Sequence, residues 1–269
     1  MGLFKGAALE NFVEPYAEML QLPHLPAHIS TILRSFLFWC SLQLLSAGIS
    51  PKLFPNAFAK MRARTKVQWD IHFVSLVHSS FIAPIGLYNF FYPDKNLDPF
   101  FGYTYQIGQM YAIAMGYFIW DIMISVRYEG LPFILHGLLS FIALALAFRP
   151  LLMVYGAVFV IWEASTPFLN IHWFLDKMGK TGTKAQFVNS LFLLASYMAS
   201  RMVLGAVCAY NLVYHLWFVE HVRDNVPVPL RLFYTIGVSS LMLLNYMWFF
   251  KMVRAVRKRF EPADAKKAH

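Results

Sequence analysis

Seven apolar runs, at about 29–49, 67–91, 105–126, 133–148, 150–170, 185–219 and 229–250, restrict what this chain can fold into more than any motif does. A helix needs about 20 predominantly apolar residues to cross a bilayer. Hydrocarbon offers the backbone no hydrogen-bond partners, so apolar runs of this length satisfy themselves as helices. With 58% hydrophobic residues against 14% charged, and a mean hydropathy of +0.50, the chain lacks the polar surface of a soluble globule. The expected fold is therefore an all-α polytopic membrane protein of about seven transmembrane helices. The fourth run is short, and only Arg149 and Pro150 separate it from the fifth, whereas the sixth is long enough to project from the bilayer.

The net charge of +9 is concentrated in three segments. Lys52, Lys60, Arg62, Arg64 and Lys66 follow the first run, Lys177, Lys180 and Lys184 follow the fifth, and Lys251, Arg254, Arg257, Lys258 and Arg259 follow the seventh. In a seven-helix arrangement all three lie on one side of the membrane, and the intervening segments are poor in Lys and Arg. Topology accounts for the basicity without nucleic acid, and the positive-inside rule makes the N-terminus lumenal and the C-terminus cytosolic. The first 28 residues carry Glu10, Glu14 and Glu18 and lack a basic flank with a continuous apolar region, so no cleaved signal peptide is expected. Lys266 and Lys267 stand fourth and third from the end, the spacing of a dilysine retrieval signal for the endoplasmic reticulum.

Cys40 and Cys208 lie within apolar runs and read as packing residues, not as a disulfide framework. No CxxC pair, HExxH, GxSxG or glycine-rich phosphate loop is present, so no resident metal or bound cofactor is expected. Titratable groups inside the apolar runs carry more information. His78, Asp121, His136, Glu163 and Arg201 are costly at membrane depth and are expected to face a protein interior or a wet cavity. Glu163, Thr166 and Asn170 share one helical stripe, and Pro167 breaks the backbone ladder between them. Ser140 lies a turn from His136, and Tyr117 a turn from Asp121. His72 is about 240° round the helix from His78 and nearer the basic interface, which makes it the weaker site candidate. In the plainest reading the polar groups hold one another between helices, Arg201 pairing with Asp121 or Glu163. Taken jointly, they also supply a base, an orienting carboxylate and a nucleophile for acyl transfer.

The stretch from Trp69 to Gly86 with His78 and Ser79, GYFIWD at 116–121, ILHG around His136 and WEASTPFLNIHW at 162–173 resemble the TLC-domain family. That family contains translocating-chain-associated proteins, ceramide synthases and ceroid-lipofuscinosis proteins. The likeness spans about 69–254, and the Glu163 motif is similar to the smaller TLC domain-containing branch. It implies a first helix and basic loop over 1–66, a TLC domain over 67–256 and a basic tail over 257–269. It further implies that helices two to seven form a barrel around a lipid-accessible cavity, lined by Trp120, Ser140, Trp162, Thr166, Asn170 and Arg201 as lipid-binding residues. Where ceramide synthases carry a His-His pair this chain has Leu135 and His136, and the paired aspartates are missing from 154–160.

Two main classes of function follow. One is a fatty-acyl transferase acting on a lipid acceptor with acyl-CoA or a lipid as donor, in which His136 or His78 is the base or acyl carrier and Glu163 or Asp121 orients it. The other is a non-catalytic lipid-binding sensor, chaperone or carrier that adjusts phospholipid composition and membrane fluidity. A third, a translocon accessory or trafficking receptor, shares the resemblance. Membrane lipids are the expected partners throughout.

Overall fold

A computed structural model of the protein describes residues 6–260. The dilysine pair, and all but the first residues of the basic tail, lie outside them. The regular elements among the described residues are all helical, and the long ones are α1 Gly6–Met19, α2 Pro26–Leu53, α3 Ala63–Phe91, α4 Tyr105–Tyr128, α5 Leu131–Leu146, α6 Met153–Lys177, α7 Lys184–Phe218 and α8 Val228–Phe260. Six of these are long and apolar enough to cross a membrane, and α5, the doubtful fourth run, is the shorter one. Its 16 residues measure about 24 Å against about 30 Å of hydrocarbon. The amphipathic α1 was not foreseen from the sequence, because 14 residues interrupted by Pro15 carry no membrane-length signal.

Local chemistry sets the boundaries. Pro26 opens α2 in the first turn, where its missing N–H costs nothing. The Thr104 and Thr183 hydroxyls cap α4 and α7 by accepting from the N–H groups of Ile107 and Gln186, each at 3.3 Å. Between α6 and α7 the chain reverses through Gly179 and Gly182, at φ of +75° and +76°, a conformation that side-chain-bearing residues rarely adopt.

Successive long helices from α2 onward run antiparallel. At one end Arg64 donates to the Tyr128 carbonyl at 3.0 Å, Trp69 packs on Phe174, and Phe133 stacks on Trp248. At the opposite end the N–H groups of His24 and Leu152 donate to the carbonyls of Phe148 and Phe100, and Phe100 and Phe101 pack on His215 and His221. The three basic segments thus share one end of the bundle. Large apolar side chains such as Phe38, Leu44, Phe81, Val203 and Leu243 face outward, the surface expected of a bundle solvated by lipid.

α2 stands outside the cavity and closes on α4 along a strip of small residues, Gly108, Ala112 and Gly116. A Cβ on Gly116 would sit 2.7 Å from the Ile32 carbonyl oxygen, so glycine is what permits this approach. Hydrogen bonds secure the seam: Ser35 donates to the Ile113 carbonyl at 2.7 Å, and Ser46 to the buried Asp70 carboxylate at 2.6 Å. Asp70 was not among the expected polar residues, and it clasps the outer helix to the barrel.

Candidate functional site

Two irregular helical turns meet at the centre of the bundle. Pro167 has no N–H to donate, and the turn before it, Ile161–Ser165, tightens into a 3-10 helix. There the Thr166 N–H donates to the Glu163 carbonyl, and the Trp162 carbonyl, which accepts from the Ser165 hydroxyl at 3.4 Å, keeps a lone pair for a second donor. On α7, Met198–Leu204 widens into a π-helix and carries Arg201 across to that carbonyl. Arg201 Nε donates to the Trp162 oxygen at 2.8 Å and to Ser165 Oγ at 3.2 Å. Its Nη2 reaches Thr166 Oγ1 at 3.2 Å and Glu163 Oε1 at 3.5 Å, and its Nη1 reaches Asn245 Oδ1 at 3.3 Å. Of the two partners expected for Arg201, the structure selects Glu163. The guanidinium also lies over the Tyr197 ring, 5.2 Å from its centroid.

Around this hub lie two adjoining cavities. The larger, about 430 Å³, opens toward the basic end, and its walls carry many polar side chains, among them His72, Asp121, Glu129, Asn170, Asp176 and Lys251. Asn170 knits its wall together, accepting at Oδ1 from His72 Nδ1 at 2.7 Å and donating to Ser75 Oγ at 3.1 Å, while Trp173 stacks on His72. The smaller, about 90 Å³, extends toward the opposite end as an apolar chamber walled by residues such as Ile82, Leu144, Val160 and Leu241. Phe118, His136 and Glu163 line both cavities and mark their junction.

The residues expected from the sequence distribute accordingly. Asp121, Thr166, Asn170 and Arg201 line the polar cavity, His78, Ser140 and Trp162 line the chamber, and His136 and Glu163 stand between. Trp120 lines neither cavity. It sits in the seam with α2, its indole N–H donating to Gln43 Oε1 at 2.8 Å, because its position on α4 faces the small-residue strip and not the bundle axis. Among the described residues neither His78 nor His136 hydrogen-bonds a carboxylate. His136 packs edge-on against Phe118 and Trp248, and His78 stacks on Tyr117 with ring centroids 3.6 Å apart.

Sequence reasoning undervalued His72 and passed over Gln68, Glu129 and Asp176. The signal was present: Gln68, His72 and Ser75 recur at helical spacing on one face of α3. Glu129 and Asp176 sit at helix ends, where a carboxylate excites no suspicion, and only the fold turns them inward.

Residues 68–254 match the family described as the TLC domain. The chain is 38% identical, over 94% of its own length and 87% of the relative's, to an uncharacterized TLC domain-containing protein of Schizosaccharomyces pombe. It is 29% identical to topoisomerase I damage affected protein 4 of Saccharomyces cerevisiae, over 96% of each chain. To human TLC domain-containing protein 4 the identity is 26%, over 85% of this chain and 88% of the relative.

Proposed function

Because the chain belongs to the TLC-domain family, a family of membrane proteins, we propose that it binds a membrane lipid across its two cavities and serves membrane-lipid homeostasis in the endoplasmic reticulum. One observation carries this reading: a polar cavity at the basic end continues, past His136 and Glu163, into an apolar chamber. A headgroup fits the first and an acyl chain the second, the division of labour common to ligand sites with mostly apolar walls and a few placed polar groups. The hub around Arg201 holds the junction rigid, since its donors are already engaged by protein acceptors. Orientation follows from charge, with the basic end cytosolic, and a cytosolic tail would display Lys266 and Lys267 to a retrieval receptor.

Fatty-acyl transfer is a second reading, favoured by the position of His136 where head and chain meet. In it an acceptor hydroxyl or amine attacks the thioester carbonyl of acyl-CoA, His136 takes the acceptor's proton, and the thiolate of coenzyme A leaves and is protonated. Glu163 or Asp121 would orient the acceptor, and the apolar chamber would exclude water. The absence of a carboxylate partner for His136 leaves binding without turnover as the better supported of the two.

The experiment is lipid mass spectrometry on the purified protein and on His136→Ala, before and after incubation with labelled acyl-CoA and mixed membrane lipids. We expect a co-purifying lipid in the wild type with no turnover. Label entering a new lipid with the wild type alone would establish transfer and name the acceptor. A protein free of lipid and inert in both forms would overturn both readings and favour a trafficking or translocon role. A tag after His269 that is inaccessible from the cytosol would overturn the orientation.

A further inference from the structure

Most glycines inside the long helices are there because a neighbour leaves no room for a side chain. A Cβ on Gly86, Gly108, Gly116, Gly137, Gly156 or Gly205 would come within 3.1 Å of an atom on another element. The one glycine of α8, Gly237, is different. It is buried, yet a Cβ there would meet a single atom within 4 Å, Leu139 Cδ2 at 3.7 Å, which is ordinary van der Waals contact. Its backbone does not call for glycine either, since it lies inside a helix and has no positive φ. Gly48 also has open space around it, but it is exposed on α2. Glycine is the poorest helix former after proline, and a buried glycine with room in front of it forfeits packing contacts as well. The room in front of Gly237 is the apolar chamber, which it lines together with Phe233 and Leu241, one turn to either side.

We infer that Gly237 sets the length of acyl chain that the chamber accepts. With no side chain at the middle of the α8 wall, the chain runs on past Gly237 toward Phe233, Leu152 and Tyr155, which line the end of the chamber away from the basic side. This inference rests on the reading that the chamber holds a lipid chain, and it names a residue that determines which chain. From Gly237 to Phe233 the wall continues for about 6 Å, four residues of helical rise. An extended chain of single bonds advances about 1.2 Å per bond, judged by the reach of an extended backbone, so a side chain that blocks the passage at Gly237 removes space for about five carbons.

The probes are labelled monoacylglycerols with chains from decanoyl to octadecanoyl, bound to the detergent-purified full chain as wild type, Gly237→Leu, Gly237→Ala and Gly48→Leu. In Gly237→Leu we expect the chain bound best by the wild type to lose about tenfold or more in affinity, since each methylene kept out of the chamber forfeits its burial. Chains about five carbons shorter bind as in the wild type. Gly237→Ala shifts the preference in the same direction by about twofold, and Gly48→Leu leaves it unchanged. The melting temperature of lipid-stripped Gly237→Ala equals or exceeds that of the wild type, because alanine favours the helix and fits the space. Gly237→Ala decides the matter if Gly237→Leu does not fold. An unchanged chain preference in a folded Gly237 variant, an equal loss for all chains, or a lowered melting temperature of Gly237→Ala overturns the inference and leaves lipid binding standing. Failure of every chain to bind the wild type overturns the lipid-binding reading, and this inference with it.

Discussion

His72 and His78 lie on one helix, both within the cavity walls, and differ in how the protein treats them. His72 is bonded to Asn170 and stacked on Trp173, within a wall of side chains that satisfy one another. His78 is stacked as well, yet neither of its nitrogens is bonded. The polar half of the cavity is thus a finished structure, shaped to hold its form with or without a guest. The apolar half keeps the polar atoms of His78, Trp162 and Tyr234 without hydrogen-bond partners among the described residues. Burial alone does not distinguish the two histidines; the accounting of donors and acceptors does.

The comparison can be broken most forcefully at its hub. Arg201→Leu strands the Glu163 carboxylate and removes the guanidinium donor from the Trp162 carbonyl and from Ser165, and is expected to cost about 3–5 kcal/mol, seen as a large fall in the temperature at which the detergent-solubilised protein loses its monodisperse peak. Glu163→Gln should cost clearly less, since the 3.5 Å contact to Glu163 is one of several that Arg201 makes. A fall as large for Glu163→Gln would make the ion pair, not the carbonyl cradle, the organising contact. Asn170→Ala comes next. It removes the bonds to His72 and Ser75 at once and is expected to cost about 1–3 kcal/mol in thermal stability. An unchanged melting temperature would mean that the polar wall is no more complete than the apolar one.

His136→Ala sharpens the contrast from the other side, because His136 makes ring contacts with Phe118 and Trp248 but no hydrogen bond whose loss would strand a partner. Stability should drop by about 1 kcal/mol or less, while retention of co-purifying lipid, read by mass spectrometry, falls. A large loss of stability with lipid retained would assign His136 to the scaffold. The smallest effect is expected far from the cavities. In the loop between α3 and α4, the backbone N–H groups of Phe101 and Phe100 donate to Asp98 at 2.8 and 2.7 Å and hold its carboxyl below the usual carboxylate range. A lowered folded-state value contributes stability above the ordinary range and loses it as pH falls through the lowered value. Hydrogen-exchange protection of those two amides should therefore be slightly greater at neutral pH than in acid, and Asp98→Ala should abolish the difference. Solvent exposure keeps the contribution below about 1 kcal/mol.

Much of this architecture was legible in the residues. The seven runs correspond to seven long helices within a few residues, and the suspicion attached to the fourth run matches the shortness of α5. The Glu163–Thr166–Asn170 stripe pointed to the central wall, as the cost of polar groups in hydrocarbon requires. Other features were not legible. The family resemblance implied Trp120 as a cavity residue beside Asp121, yet neighbours in a helix are about 100° apart and face different surroundings. The π-helix that delivers Arg201 has no signature in its own sequence, since the Trp162 carbonyl that Arg201 meets lies on another helix.

By itself the sequence determined that the chain spans a membrane as a helical bundle, that its positive charge gathers at one end, and which polar residues lie at membrane depth. These follow from local chemistry: run length, backbone self-satisfaction and the expense of burying charge act on each segment alone. Only the tertiary structure decided which buried groups satisfy one another. Hydrogen-bond pairing between helices depends on the rotation of each helix about its axis, and packing against all the others sets that rotation. It is why Asn170 reached His72 and no hydrogen-bond partner among the described residues reached His78.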